Sequence, residues 1–220
     1  MRLCSRPQHT NASFAAIPIP LRQPPNQQRG ELLELMAYRP PYLDPDSTYI
    51  DGPHPATLDE KELLKECELS FGRSSGPGGQ HRNKVATGVR IVHVPSGIET
   101  RATERREQRV NRSKAIFRLR IKLALQLRCP TGRDSHEPST LWVSRRQGEK
   151  LPINPEHKDF PAILAEALNV ILARKFDVAG AAGVLGITMS QLARILRHNR
   201  AALARVNQGR EKVGLHPLRS

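Results

Sequence analysis

A chain of 220 residues has room for one or two small domains and a modest core. With 35 Lys and Arg against 21 Asp and Glu it carries a net charge of +14, which points to a polyanionic partner; at 4% aromatic residues, stacking of bases on aromatic platforms is excluded as the main grip, leaving phosphate contact and shape recognition, as for structured RNA. Cys4, Cys67 and Cys129 lack C-x-x-C spacing, so a disulfide framework and a zinc site are not expected and a reducing compartment is, while no apolar run approaches the length of a membrane span.

Residues 1–57 are rich in Pro, Asn and Gln and are expected to be a largely disordered, Pro-rich N-terminal segment. Residues 1–30 carry four arginines and no acid, a faint transit-peptide pattern that would place the protein in the mitochondrial matrix. The other reading is an upstream extension with Met36 as the start of a bacterial, cytoplasmic protein. Leu58 to Glu68 reads as a short helix with Thr57 as its N-cap and acids in its first turn. Strands are expected at about 67–71, 88–94 and 97–103, the last two joined by a turn at Pro95-Ser96-Gly97.

Between the first two strands runs Ser74-Ser75-Gly76-Pro77-Gly78-Gly79-Gln80-His81-Arg82-Asn83-Lys84. Three glycines and a proline in five residues rule out a regular helix or a central strand. A stretch so poor in side chains exposes backbone N–H groups that can stabilise an oxyanion. Taken alone, Gly-Pro-Gly-Gly is an ordinary surface turn. The polar and cationic residues behind it suit phosphates.

From Arg105 to about Leu127 the period becomes helical. Val110, Ala115, Ile116, Leu119, Leu123 and Leu127 form one apolar face, expected to pack on the small sheet. Arg109, Arg112, Lys114, Arg118, Arg120 and Lys122 occupy the rest, expected to meet solvent or RNA. Over residues 72–128 fourteen cations face three acids (Glu99, Glu104 and Glu107), so this segment alone supplies +11. Residues 129–158, interrupted by prolines, read as a linker in which Trp142 packs on a neighbouring domain. Beyond it, helices are expected at 160–176, at 178–185, and at about 191–206 with Ser190 as N-cap. Helix, Gly-containing turn, helix suggests a helix-turn-helix, with Arg194, Arg197, His198 and Arg200 on its second helix; small helical bundles share that pattern for packing reasons.

Residues 68–123 resemble the catalytic domain of the class I peptide chain release factors and their ribosome-rescue relatives. The resemblance rests on Gly78-Gly79-Gln80, on Gln80-His81-Arg82-Asn83-Lys84, on Val89-Arg90-Ile91-Val92-His93 and Pro95-Ser96-Gly97-Ile98, and on Gln108, Asn111 and Ala115 in order. At 105–108 the chain reads Arg-Arg-Glu-Gln where the family usually has Glu-Arg-Ser-Gln. Pro55-Ala56-Thr57 matches a stop-codon-reading tripeptide of one kind of release factor, but the large domain that should surround it has no room.

The expected fold is therefore α+β: a small sheet with a packed basic helix carrying the Gly-Gly-Gln loop, then a separate all-α, helix-turn-helix-like module. The expected domains are 1–57 (disordered), 58–128 (catalytic), 129–158 (linker) and 159–220 (helical). The resemblance implies hydrolysis of peptidyl-tRNA on the ribosome, expected to be codon-independent because a codon-reading domain has no room, and without cofactor or metal. Gly78, Gly79 and Gln80 would be catalytic. Arg73, His81, Arg82, Asn83, Lys84, Arg90, Gln108, Arg109, Asn111, Arg112, Lys114 and Arg118 would contact RNA. His81 and His93 are candidate bases by residue type only. Implied partners are large-subunit ribosomal RNA, peptidyl-tRNA and a methyltransferase acting on Gln80, with no membrane, and the protein is expected to be a monomer. The rivals are a non-catalytic RNA-binding protein and a helix-turn-helix regulator.

Overall fold

The computed structural model describes residues 47–72 and 86–219. Its first layer is an antiparallel sheet, β2 (Cys67–Gly72), β3 (Gly88–His93) and β4 (Ile98–Ala102), with β3 in the centre. The alternation that marked β3 as a strand is realised: Val89 and Ile91 are fully buried and His93 nearly so, while Arg90 points outward. Leu69 pairs with Ile91, and Ile91 with Thr100, which fixes the register. The turn after β3 closes at Gly97, where φ is +67°, a conformation glycine takes without cost.

A short helix, α1 (Glu60–Lys65), precedes the sheet and ends where the chain turns into β2. The long helix α2 (Gln108–Gln126) lays Ala115, Ile116, Leu119 and Leu123 on the sheet, with Leu63 of α1 in the same core. The expected apolar face is present. The opposite expectation, a second face left to solvent or RNA, holds only in part. Ile121 and Leu125 form another apolar stripe, and α4 (Phe160–Ala173) packs against it. α4 buries twelve of its fourteen residues, on every side, as a central helix must. Its Ala165 belongs to the sheet core, while Ile163, Leu164, Leu168 and Ile171 belong to the second core. Two cores thus share the pair α2 and α4, so the helical module is not separate from the sheet domain.

Three further helices complete the second core: α5 (Val178–Val184), α6 (Met189–Arg197) and α7 (Arg200–Lys212). The expected single helix over 191–206 is two. The Asn199 side chain accepts from Ala202 N at 3.0 Å and caps α7, which breaks the run. The cap of α6 is Thr188, accepting from Gln191 N at 3.3 Å, rather than Ser190. α4 stops at Ala173 because Lys175 and Phe176 both take positive φ, 55° and 63°. Phe176 N closes the turn on Ile171 O at 2.9 Å. The buried Phe176 ring then fills a space that α7 leaves at Gly209, where a Cβ would lie 2.2 Å from the ring.

Two stretches are more ordered than their composition suggests. Within 129–158 lies α3 (Thr140–Arg145), capped by Ser139, whose Oγ accepts from Trp142 N at 3.1 Å. Trp142 is fully buried and donates from Nε1 to Leu185 O at 2.9 Å, packing as expected on the neighbouring helices. Glu166 of α4 holds the same segment, accepting from Ser139 N at 2.7 Å and Ser139 Oγ at 2.6 Å. Of the segment 1–57, expected to be disordered, Thr48–Tyr49 (β1) pairs in parallel with Leu127–Arg128 (β5). Pro55–Thr57 forms a 3-10 turn in which Ala56 is fully buried against α2 and α4. Residues 1–46 lie outside the described residues.

The carboxyl end of α2 is closed by arginines. Nearly buried Arg128 donates to Ala124 O at 2.8 Å and Leu125 O at 2.9 Å, and Arg205 of α7 donates to Leu125 O as well. Cations here satisfy orphan carbonyls and oppose the negative end of the helix dipole. Among the described residues no single helix is long and apolar enough to cross a membrane.

Candidate functional site

The segment 73–87 joins β2 to β3 at the sheet's end, and its two stems are held close together. Gly72 pairs with Gly88 in the ladder, and a Cβ on Gly88 would meet Gly72 O at 2.9 Å and the Thr103 methyl at 3.1 Å. Only glycine lets the two stems and the chain after β4 approach so closely. Arg73, Gly78, Gly79, Gln80, His81, Arg82, Asn83 and Lys84 lie outside the described residues.

The exit of this segment is fastened to the first turns of α2. Asn111, fully buried, donates from Nδ2 to Thr87 O at 2.8 Å and to Arg105 O at 2.8 Å, and its Oδ1 accepts from Arg105 N at 2.9 Å. One amide thereby binds the loop exit and the approach to the helix in a closed clasp. Gln108 adds a bond from Nε2 to Ala86 O at 3.0 Å. Asn111 was expected to contact RNA; its burial and its three bonds rule that out, and Gln108 spends one of its donors on the loop exit. Arg105 and Glu107, where the sequence departs from the usual pattern, enter through backbone groups, and their side chains are exposed. The clasp is indifferent to the change of side chain.

The expected cations divide into two sets. Arg118 pairs with Glu104 at 2.6 Å and donates to Arg101 O at 2.9 Å, tying α2 to the chain leaving β4. Its bond holds the Glu104 carboxyl below the usual carboxylate range. Arg90 pairs with Glu99, and Arg112 lies 3.7 Å from Glu60. Arg109 and Lys114 make no ion pair among the described residues. Exposed pairs of the Arg90 kind are worth at most about 1 kcal/mol and can reopen on a phosphate.

His93 is no base. It is buried in the sheet, Nδ1 is 2.7 Å from Ser96 Oγ and Nε2 is 3.1 Å from Glu66 Oε2, so both ring nitrogens serve to hold the β3–β4 turn against the end of α1. Thr100, missed in the sequence, donates from Oγ1 to Ala115 O at 3.0 Å and sets the height of α2 on β4. Among the described residues no cluster of three His, Cys, Asp or Glu could hold a metal ion.

Residues 59–147 match the RF-1 domain family. Over those residues the chain is similar to the class I peptide chain release factors. It is 48% identical over 59 residues to peptide chain release factor PrfB1, chloroplastic, of Arabidopsis thaliana, a span covering 27% of this chain and 13% of that protein. It is 33% identical over 119 residues to peptide chain release factor 1 of Streptococcus thermophilus, covering 51% of this chain and 33% of the relative. Against peptide chain release factor 1 of Dictyoglomus thermophilum it is 48% identical over 59 residues, 27% of this chain and 16% of the relative. The chain thus spans about a third or less of the length of these release factors. The RF-1 match takes in the sheet, α2 and α3, and the Gly-Gly-Gln motif falls inside it.

Proposed function

We propose that this chain hydrolyses the ester of peptidyl-tRNA on the ribosome without reading a codon, releasing peptides from stalled complexes. The observation that carries this reading is the RF-1 match over 59–147 with Gly78-Gly79-Gln80 within it. Water adds to the ester carbonyl, and the tetrahedral oxyanion collapses with departure of the tRNA 3′-oxygen, which takes up a proton. The Gln80 backbone N–H donates to the charge that develops, and its side chain restricts entry to a nucleophile the size of water. Gly78 and Gly79 let bare backbone approach ribosomal RNA. Arg73, His81, Arg82, Asn83 and Lys84 grip phosphates beside the reacting ester, and Arg109 and Lys114 extend that grip along α2.

Codon independence is supported by the place of Pro55-Ala56-Thr57, folded as a turn and buried at Pro55 and Ala56. Thr57 is exposed, but its hydroxyl is turned back onto the chain and donates to His54 O at 2.7 Å. In this reading the protein acts as a monomer, in a bacterial cytoplasm or, if residues 1–30 are a transit peptide, in the mitochondrial matrix. A methyltransferase modifies Gln80.

The C-terminal helices are proposed as a helix-turn-helix. The chain turns through 106° between α5 and α6, across Leu185 to Thr188 with Gly186 at φ +66°, within the range of that motif. This observation also supports the rival regulator reading. Peptide release from ribosomes holding peptidyl-tRNA and no stop codon separates them. Release by the wild-type protein, lost in Gln80→Ala with ribosome binding intact, is the expected result. Equal behaviour of both proteins overturns it in favour of a binding protein.

A further inference from the structure

An open groove of about 400 Å³ lies between α2 and β4 on one side and the junction of α6 and α7 on the other. Helical spacing builds its α2 wall. Phe117 and Ile121 stand one turn apart, and Arg118 and Lys122 form a cationic row beside them. Ile121 packs partly on the second core, but half-buried Phe117 joins neither core. Pro155 and Phe160 add to the apolar lining, and the His198 ring stands edge-on to Phe160 with centroids 6.3 Å apart. No acidic residue lines the groove, whereas Arg101, Arg118 and Lys122 all do.

β4 is the edge of its sheet. Arg118 Nη1 donates to Arg101 O at 2.9 Å and Lys122 Nζ to Glu99 O at 2.8 Å, so these two carbonyls point out of the ladder. In an antiparallel ladder the N–H of a residue points the same way as its C=O. The amides of Glu99 and Arg101 therefore face outward too, and no group among the described residues accepts from them. On this edge the acceptors are satisfied by α2 and the donors are free.

A guest suited to the groove brings acceptors, negative charge and apolar surface together. A nucleic-acid backbone satisfies the charge but leaves Phe117 and Ile121 in water. A second copy of this chain, at a net charge of +14, has the wrong sign. An extended acidic peptide meets all three needs, because its carboxylates and carbonyls accept and its apolar side chains cover the groove wall.

We propose that the groove binds an extended acidic segment of a partner protein, with carboxylates against Lys122 and the outward amides of β4 and apolar side chains on Phe117 and Ile121. This goes beyond the hydrolase reading and does not need it.

The probe is a fluorescein-labelled peptide, Glu-Leu-Glu-Phe-Glu-Leu-Glu, titrated against the full chain by anisotropy. One companion peptide has Lys for every Glu, and another has Ser for Leu and Phe. Wild type is expected to bind the acidic apolar peptide at least about tenfold tighter than either. Lys122→Glu should weaken that binding about tenfold and improve binding of the Lys peptide, a reversal that lost stability does not mimic. Phe117→Ser should weaken the acidic apolar peptide about tenfold and leave the Ser peptide unchanged. Thermal melts establish that both variants fold. Gln80→Ala should bind the peptide like wild type, so loss of hydrolysis and loss of docking are read separately. Equal binding of the acidic Ser peptide, or indifference to both groove substitutions, overturns the proposal. Binding of an RNA duplex that both substitutions weaken as much as they weaken the peptide overturns it in favour of a nucleic acid.

Discussion

Asn111 holds Thr87: its Nδ2 donates to the Thr87 carbonyl at 2.8 Å from a fully buried position in the first turns of α2. The loop bearing the Gly-Gly-Gln motif is thereby fixed at its exit by a helix that follows the sheet. Asn111→Ala should leave the Arg105 and Thr87 groups short of partners inside the protein. A loss of about 2–4 kcal/mol in urea unfolding is expected. Peptide release measured well below the melting temperature should fall by a larger factor than the unfolded fraction explains. Gln108→Ala, at an exposed site, should cost under about 1 kcal/mol and affect release more mildly.

His54 makes stability depend on acid. Its Nδ1 accepts from Ala56 N at 3.0 Å, so the ring proton sits on Nε2, 3.3 Å from Leu127 O. Burial, opposed by the Leu127 bond and reinforced by Arg128, lowers its pKa from 6.5 to about 4. A lowered histidine pKa means that the unfolded chain takes up the proton first as pH falls. The contribution is complete above about 6.5 and is lost between there and about 4, amounting to about 3 kcal/mol. Unfolding curves between pH 4 and 7.5 should show that slope. His54→Asn, which keeps an acceptor for Ala56 N, should flatten it.

Gly209 costs α7 some helix stability and is retained for the ring of Phe176. Gly209→Ala gains about 1 kcal/mol of helix propensity but drives a methyl into a buried ring. A net loss of about 2 kcal/mol is expected, read as a lowered melting temperature. Gly209→Ala/Phe176→Leu should recover part of it.

Cutting the chain after Arg128 should not yield a smaller working catalytic domain. The cut removes α4, leaves Ile121 and Leu125 uncovered, and takes away the Arg205 cap on α2. A broad, non-cooperative melt with exposed apolar surface, detected by dye binding, is expected. A sharp transition and retained release would show that the two cores are independent.

The sheet and α2 were legible because each has one clean period: Val89, Ile91 and His93 alternate, and Ala115, Ile116, Leu119 and Leu123 recur at helical spacing. What eluded the sequence depends on groups far apart in the chain. The bonds of Gln108 and Asn111 to Ala86 and Thr87 span more than twenty residues, and nothing in an amide's identity distinguishes a clasp from an RNA contact. The second stripe of α2, Ile121 and Leu125, was masked by arginines and lysines around it. The break between α6 and α7 carries neither glycine nor proline at Asn199, and a capping asparagine looks like any polar helix residue until its neighbours turn. The prolines of 129–158 correctly marked loops, yet a six-residue helix anchored by one tryptophan fits between them. The cationic half of the site was visible as composition; which cations were already spent on Glu60, Glu99 and Glu104 was not.

The sharing of α2 between two cores has a mechanical consequence. Nineteen residues at the rise of an α-helix make a rod about 28 Å long. One end carries the clasp on the loop's exit; the other is tied by Arg205 to the C-terminal helices. A rod gripped at both ends transmits rotation. Wherever the C-terminal helices come to rest on a partner, they dictate the angle at which the loop is presented at the far end, as a handle sets the bearing of a blade.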